Sequence, residues 1–154
     1  MKEVVQRGLW YEEFETGVIY RHRPGRTMTD ADNQLFSAIT MNQQAIHVDA
    51  AFAAGQEFGR PLINSMFTLA VLVGLSVNQL TQSTIVSNLG FSEVAFPAPM
   101  FAGDTLYAET AMLSKRDSKS RPQQGIVILE HTGRNQDGTL VARAVRAALM
   151  HKLP

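Results

Sequence analysis

The sequence predicts an α+β fold in which one long apolar helix packs against one antiparallel sheet. Three observations support this. Residues 64–80 form an apolar segment of helix length. From residue 83 onward the chain has the pattern of successive short strands separated by turn signals. The helical patterns precede the strands and do not alternate with them, which favours α+β over a parallel βαβ sheet.

The N-terminal elements are a short strand and a capped helix. Residues 18–22 are predicted to form a strand that ends at Pro24-Gly25. Thr29 is a suitable N-cap for the helix that follows, with Asp32 in its first turn. The apolar residues expected on one face of this helix are Leu35, Phe36 and Ile39.

Two further helices are predicted before the strands. Residues 48–58 are Ala-rich and indicate a short helix that ends near Gly59, before Pro61. The next helix, over residues 64–80, is apolar almost all round, so it must be surrounded by protein. Its unbroken apolar part is shorter than the ~20 residues of a membrane span. It is therefore interpreted as the central core helix.

The second half of the chain predicts the sheet. The predicted strands cover residues 84–86, 90–96, 104–113, 125–131 and 139–150. Leu106, Ala108, Thr110 and Met112 alternate with the intervening side chains, as in a half-buried strand, and "NQDG" at 135–138 is a hairpin turn. A long antiparallel sheet wrapped around one buried helix is the hotdog arrangement. The length of 154 residues suits a single domain, 1–154.

Composition narrows the function classes. Lys+Arg and Asp+Glu both number 14, so no electrostatic footprint for nucleic acid or a membrane surface is expected. With no cysteine there is no disulfide, thiol nucleophile or Cys-based zinc site, and the N-terminus does not resemble a signal peptide. The four histidines are far apart in sequence, and no phosphate loop or dinucleotide motif occurs. We expect a cytoplasmic protein without metal or cofactor.

The loop "TMNQQAIHVD" at residues 40–49 carries the first candidate residues, Asn42 and His47. A lone histidine in a loop is more often a hydrogen-bonding or surface residue than a catalytic one. At ~100° per residue, a continuous helix would place these two about 140° apart, so a loop must bring them together. The second candidates are Asn64 and Ser65 at the start of the core helix. They are natural N-caps, and free N–H groups there can also stabilise an oxyanion.

Three ordered segments resemble the MaoC-type dehydratases, the hotdog family of (R)-specific enoyl-CoA hydratases. They are "MNQQAIH" at 41–47, "FGRPLINSMFTLA" at 58–70, and "FPAPMFAGDTLYAE" at 96–109. The family motif reads Gly-Asp-x-Asn-Pro-[Leu/Ile]-His. This chain keeps His47 but has Met41 for the glycine, Asn42 for the aspartate and Ser65 for the helix-start glycine.

The resemblance implies reversible hydration of an enoyl-CoA thioester, at a site shared by the two protomers of at least a dimer. His47 would be the acid/base, Asn42 would orient the water, the Ser65 N–H would hold the thioester oxygen, and Asn64 would shape the helix start. The residue pattern of the loop at 40–49 resembles a subgroup of this family, which suggests short branched or dicarboxylic substrates such as mesaconyl- or itaconyl-CoA. A non-catalytic acyl-CoA binder and a hotdog thioesterase remain alternatives. The polar loop at 114–124, with Lys115, Arg116, Lys119 and Arg121, is either a solvated turn or a contact for the CoA phosphates.

Overall fold

The computed structural model describes residues 1–154, and its strands form one five-stranded antiparallel sheet. The strands are β1 (Ile19–Thr27), β2 (Ile85–Ala95), β3 (Thr105–Asp117), β4 (Gln124–Arg134) and β5 (Leu140–His151). Their order across the sheet is β1-β3-β4-β5-β2, so β1 and β2 are the edges. The predicted α+β fold is confirmed.

Four α-helices accompany the sheet, after a 3-10 turn at Tyr11–Glu13. They are α1 (Asp30–Ile39), α2 (Ala45–Val48), α3 (Ala50–Ala54) and α4 (Ser65–Leu80). The central helix α4 lies against the sheet, and its buried residues recur every fourth position, at Thr68, Leu72, Ser76 and Leu80. No helix in the structure is both long and apolar enough to span a membrane.

The core lies between α4 and the inner face of the sheet. Leu72 packs in a cluster with Leu106 and Val141 at the middle of α4, and Leu80 packs with Met112 and Leu129 at its end. The alternation predicted for β3 is confirmed, because Leu106, Ala108, Thr110 and Met112 are all at most 1% exposed. Burying such apolar side chains is the main favourable term in folding.

Three predicted boundaries were wrong. Strand β1 continues to Thr27, past Pro24, because it is an edge strand where a residue without an N–H is tolerated, and its pairing with β3 shifts register between His22 and Arg26. The predicted strands 84–86 and 90–96 are one strand, whose pairing with β5 shifts at Gly90. The predicted helix 48–58 is only Ala50–Ala54, because the Asp49 side chain caps α3 there, and a separate short helix, α2, precedes it within the predicted loop.

The orientation of α1 also differs from expectation. The predicted cap is confirmed, since the Thr29 side chain accepts from the Asp32 N–H. Its apolar Leu35 and Ile39, however, are 63% and 71% exposed, whereas the buried residues are Asn33 and Ser37. Phe36, the third residue of the predicted apolar face, is half-buried, with its ring centroid 5.2 Å from that of Phe67. Helix α1 thus buries two polar residues and only part of the predicted apolar face.

Candidate active site

The site loop begins where α1 ends, at a left-handed residue. Met41 has φ of 59° and follows the C-cap Thr40. The Met41 N–H donates to the Ala38 carbonyl at 3.1 Å, and the Asn42 N–H donates to the Ser37 carbonyl at 2.9 Å. These two bonds form a Schellman motif, in which glycine is the usual left-handed residue. The motif fixes the backbone of Asn42 at the end of α1.

His47 lies in α2 with 9% of its surface exposed. Its Nδ1 is 2.9 Å from the Leu62 carbonyl oxygen. A carbonyl can only accept, so Nδ1 carries the proton, and Nε2 of the neutral ring carries the lone pair. Nε2 makes no hydrogen bond within the chain. The ring is therefore held in the tautomer that can take a proton at Nε2.

One backbone N–H at the start of α4 has no hydrogen-bond acceptor within the chain. Asn64 is the N-cap, as predicted, and its Oδ1 accepts from the Met66 N–H at 3.0 Å. The Ser65 N–H has no acceptor in the chain. It lies at the positive end of the helix, where it could hold developing negative charge. Asn64 itself is 1% exposed, which suits a capping residue.

The residue that connects these parts, Asn33 of α1, was not among the predicted site residues. It is 1% exposed. Its Nδ2 donates to the carbonyls of His47 and Leu62 at 3.2 and 3.0 Å, and its Oδ1 accepts from the Asn64 N–H at 2.7 Å. Polar residues four apart, Asn33 and Ser37, were the sequence signal that could have revealed this face.

The structure thus brings His47 and the α4 start into one hydrogen-bonded assembly through Leu62 and Asn33. Asn42 is connected to this assembly only through Ser37. Its side chain is exposed and makes no hydrogen bond, while its N–H is bound to Ser37. The Ser37 hydroxyl in turn accepts from Asn64 Nδ2 at 3.4 Å.

The remaining sequence features have structural roles. Gly103 adopts φ of 96°, and Asp104 Oδ2 accepts from the Phe101 N–H at 2.8 Å, which confirms the predicted turn before β3. In the polar segment 114–124, β3 runs on to Asp117. Lys115 lies in that strand, and its Nζ donates to three carbonyls of the N-terminal segment, the nearest being Phe14 at 2.7 Å. Lys115 therefore binds the N-terminal segment to β3.

A second cluster of polar side chains, those of His22, Thr110 and His131, lies buried on the sheet. His22 Nε2 and His131 Nδ1 both lie 2.8 Å from the Thr110 hydroxyl, so two histidines far apart in sequence share one partner. Burial lowers the pKa of His131 to about 3, and the nearby charges of Arg146 and His22 act in the same direction. Burial also lowers the pKa of His22, whereas the hydrogen bond that His22 Nδ1 donates to Gln79 Oε1 raises it. Both rings are thus favoured in the neutral form.

A cavity of about 770 Å³ lies beside α4 on the β1 side. Its wall includes His22, Phe36, Phe67, Val71, Gly74 and Gln79. None of the four predicted site residues lines it. The geometry of the site therefore rests on the hydrogen bonds around His47 and not on this cavity.

The fold agrees with comparisons to known proteins. Residues 13–135 match the model of the MaoC like domain, and the chain belongs to that family. It is 26% identical over 145 residues to a protein of Cereibacter sphaeroides named mesaconyl-CoA hydratase. That match covers 94% of this chain but 42% of the relative, so the chain spans about two fifths of that protein's length.

Solved structures give the same fold. The (R)-hydratase of Aeromonas caviae involved in PHA biosynthesis superposes with a TM-score of 0.75 at 28% identity, covering 93% of this chain and 99% of that one. A Mycobacterium tuberculosis protein described as having a double hotdog fold superposes with a TM-score of 0.84 at 23% identity. That match covers 96% of this chain and 45% of the other. The predicted hotdog fold is confirmed.

Proposed function

We propose that this protein is a hydro-lyase that reversibly adds water across the α,β double bond of an enoyl-CoA thioester. The observation that carries the proposal is the state of His47. Its Nδ1 proton is bound to the Leu62 carbonyl, so Nε2 is available as a base, and Leu62 lies three residues before the uncommitted Ser65 N–H. A base and an oxyanion donor on adjoining segments are the two parts that this reaction needs.

The steps follow from these atoms. Nε2 of His47 takes a proton from water while the water oxygen bonds to the β-carbon. The electron pair of the double bond moves toward the thioester, whose oxygen becomes negative and is held by the Ser65 N–H. The imidazolium then returns the proton to the α-carbon, which gives the 3-hydroxyacyl-CoA. Dehydration is the same path in reverse.

Asn42 would orient the water. An amide can donate and accept but cannot act as an acid or base, so proton transfer falls to His47 alone. The Asn42 side chain is exposed and has no partner in the chain, so it is available to a water or substrate. The Schellman motif holds its backbone in place while leaving the amide free.

The substrate class we infer is a short branched or dicarboxylic enoyl-CoA, such as mesaconyl- or itaconyl-CoA. Support comes from relatives named mesaconyl-CoA hydratase in Cereibacter sphaeroides and β-methylmalyl-CoA dehydratase in Chloroflexus aurantiacus. Each is 26% identical, and the chain covers 42% and 41% of their lengths.

We further infer a single hotdog unit, residues 1–154, that forms a homodimer. Strand β2 is an edge with one neighbour, and Leu89, Phe91 and Val94 on it are 38–49% exposed. Such an edge can pair with a second chain. This chain covers about half of the relative with two hotdog units, which supports a second copy in the place of the second unit. The absence of cysteine suits a reducing compartment such as the cytoplasm.

The test is to mix the purified protein with a panel of enoyl-CoAs and follow the enoyl-thioester absorbance. Hydration predicts loss of that absorbance without release of free CoA. Thermal stabilisation by CoA esters with no absorbance change would instead identify a non-catalytic binder. Release of free CoA would identify a thioesterase.

A further inference from the structure

Asn33 occupies a place in α1 where an apolar residue would be expected. It is 1% exposed, yet it carries a primary amide into the protein while Leu35 and Ile39 of the same helix point outward. A buried amide without partners is costly. The structure satisfies this one fully, since both Nδ2 protons and Oδ1 are used.

The three partners of Asn33 belong to the two segments that form the site. One is the carbonyl of His47, the second is the carbonyl of Leu62, and the third is the N–H of Asn64. The Ile46 carbonyl also accepts from the Leu62 N–H at 2.9 Å. Asn33 therefore ties the backbone of the catalytic segment to the backbone that leads into α4.

The Leu62 carbonyl links the hydrogen bonds of Asn33 to the chemistry of His47. It accepts from Asn33 Nδ2 at 3.0 Å and from His47 Nδ1 at 2.9 Å, so both of its lone pairs are occupied. The second bond selects the His47 tautomer. If the Leu62 carbonyl were free to rotate away from His47 Nδ1, it would no longer select this tautomer.

We propose that Asn33 is a positioning residue that sets the tautomer of His47 and its distance from the Ser65 N–H. It touches neither substrate nor the reacting atoms in this mechanism. The effect on rate rests on the hydratase function proposed above, but the effect on the imidazole does not. Misplacing a catalytic group by ~1 Å can cost about 10²-fold in rate.

The experiment uses the full chain with Asn33→Leu, which keeps the side-chain size but removes all three bonds. A second variant, Asn33→Ser, has a smaller side chain and tests the role of Asn33 if the leucine variant does not fold. The control is Thr29→Ala, which removes the side-chain cap of the same helix but none of the side-chain bonds of Asn33. Long-range ¹H–¹⁵N NMR of the ring nitrogens reports the tautomer, with His47→Gln used to assign the His47 signals.

In the unaltered protein and in Thr29→Ala, we expect His47 to be protonated at Nδ1 only. In the Asn33 variants we expect both tautomers, with kcat lowered about 10- to 100-fold and KM within about threefold. An Nδ1-only ring in the folded Asn33 variants would overturn the proposal even if the rate fell. If the unaltered protein hydrates no enoyl-CoA, the proposed function fails, and the NMR result alone decides the role of Asn33.

Discussion

His47 donates a hydrogen bond from Nδ1 to the Leu62 carbonyl at 2.9 Å, which leaves Nε2 as the only basic atom of the neutral ring. The same carbonyl is held by Asn33 and lies just ahead of α4. A histidine in a short helix is thus coupled to the N-terminus of the central helix. This coupling joins two separate sequence features in one candidate site.

The first prediction concerns His47. In His47→Gln the side chain cannot accept and return a proton, so kcat for enoyl-CoA hydration should fall about 10²- to 10⁴-fold. Melting temperature and circular dichroism should show a folded protein. Near-normal turnover by the folded variant would exclude His47 as the acid/base.

The second prediction concerns Asn42. Removing one water-orienting hydrogen bond in Asn42→Ala should lower kcat about tenfold, which corresponds to ~1.4 kcal/mol. Asn42→Asp, which can still accept from the water, should lose less than the alanine variant. Steady-state kinetics at one pH compare the three proteins. An alanine variant as fast as the unaltered protein would remove Asn42 from the mechanism.

The third prediction concerns Met41, whose φ is 59° and whose side chain is 88% exposed. The left-handed conformation costs a non-glycine residue ~1–2 kcal/mol, partly offset by the greater freedom that glycine has in the unfolded chain. Met41→Gly should therefore raise the free energy of unfolding by about 0.5–1 kcal/mol. Met41→Ala, which keeps the strain, is the matched control and should show no such gain in urea denaturation.

The fourth prediction concerns the edge strand β2. Phe91 is 38% exposed there, and a charge at the proposed dimer interface would be buried without a partner. Phe91→Glu should shift the protein to monomers in size-exclusion chromatography with light scattering. Leu113→Glu changes a similarly exposed apolar residue on the internal strand β3 and should leave the dimer intact. Equal masses for both variants would argue against this interface.

The fifth prediction concerns acid stability. Burial lowers the pKa of His131 from 6.5 to about 3 in the folded protein, so the unfolded chain binds this proton first. The stabilisation is complete above pH ~6.5 and is lost as the pH falls toward 3. Between pH 7.5 and 5 this amounts to about 2 kcal/mol.

His131→Gln removes the titrating group, so its free energy of unfolding should depend less on pH over that interval. Chemical denaturation at the two pH values measures the difference. An unchanged dependence would show that other groups, such as His22 with its own lowered pKa, account for the acid sensitivity.

The sequence by itself determined the layout of the fold. The apolar helix follows from a continuous apolar segment of helix length. The alternation in β3 follows from periodicity, because burial on one face of a strand requires every second residue to be apolar. Thr29, Asn64 and the Gly103 turn were also predictable, since caps and turns depend on a few adjacent residues. The resemblance of the loop at 40–49 located His47.

The tertiary structure decided which face of α1 is buried and what holds His47. Asn33 reaches Leu62 and Asn64 from 29 and 31 residues away, and no local pattern encodes a contact at that separation. His22 and His131 likewise meet at Thr110 only because β1, β3 and β4 are neighbours in the sheet. Periodicity shows how apolar residues are spaced along one helix or strand, whereas the face that is buried and the hydrogen bonds between segments depend on how the helices and strands pack.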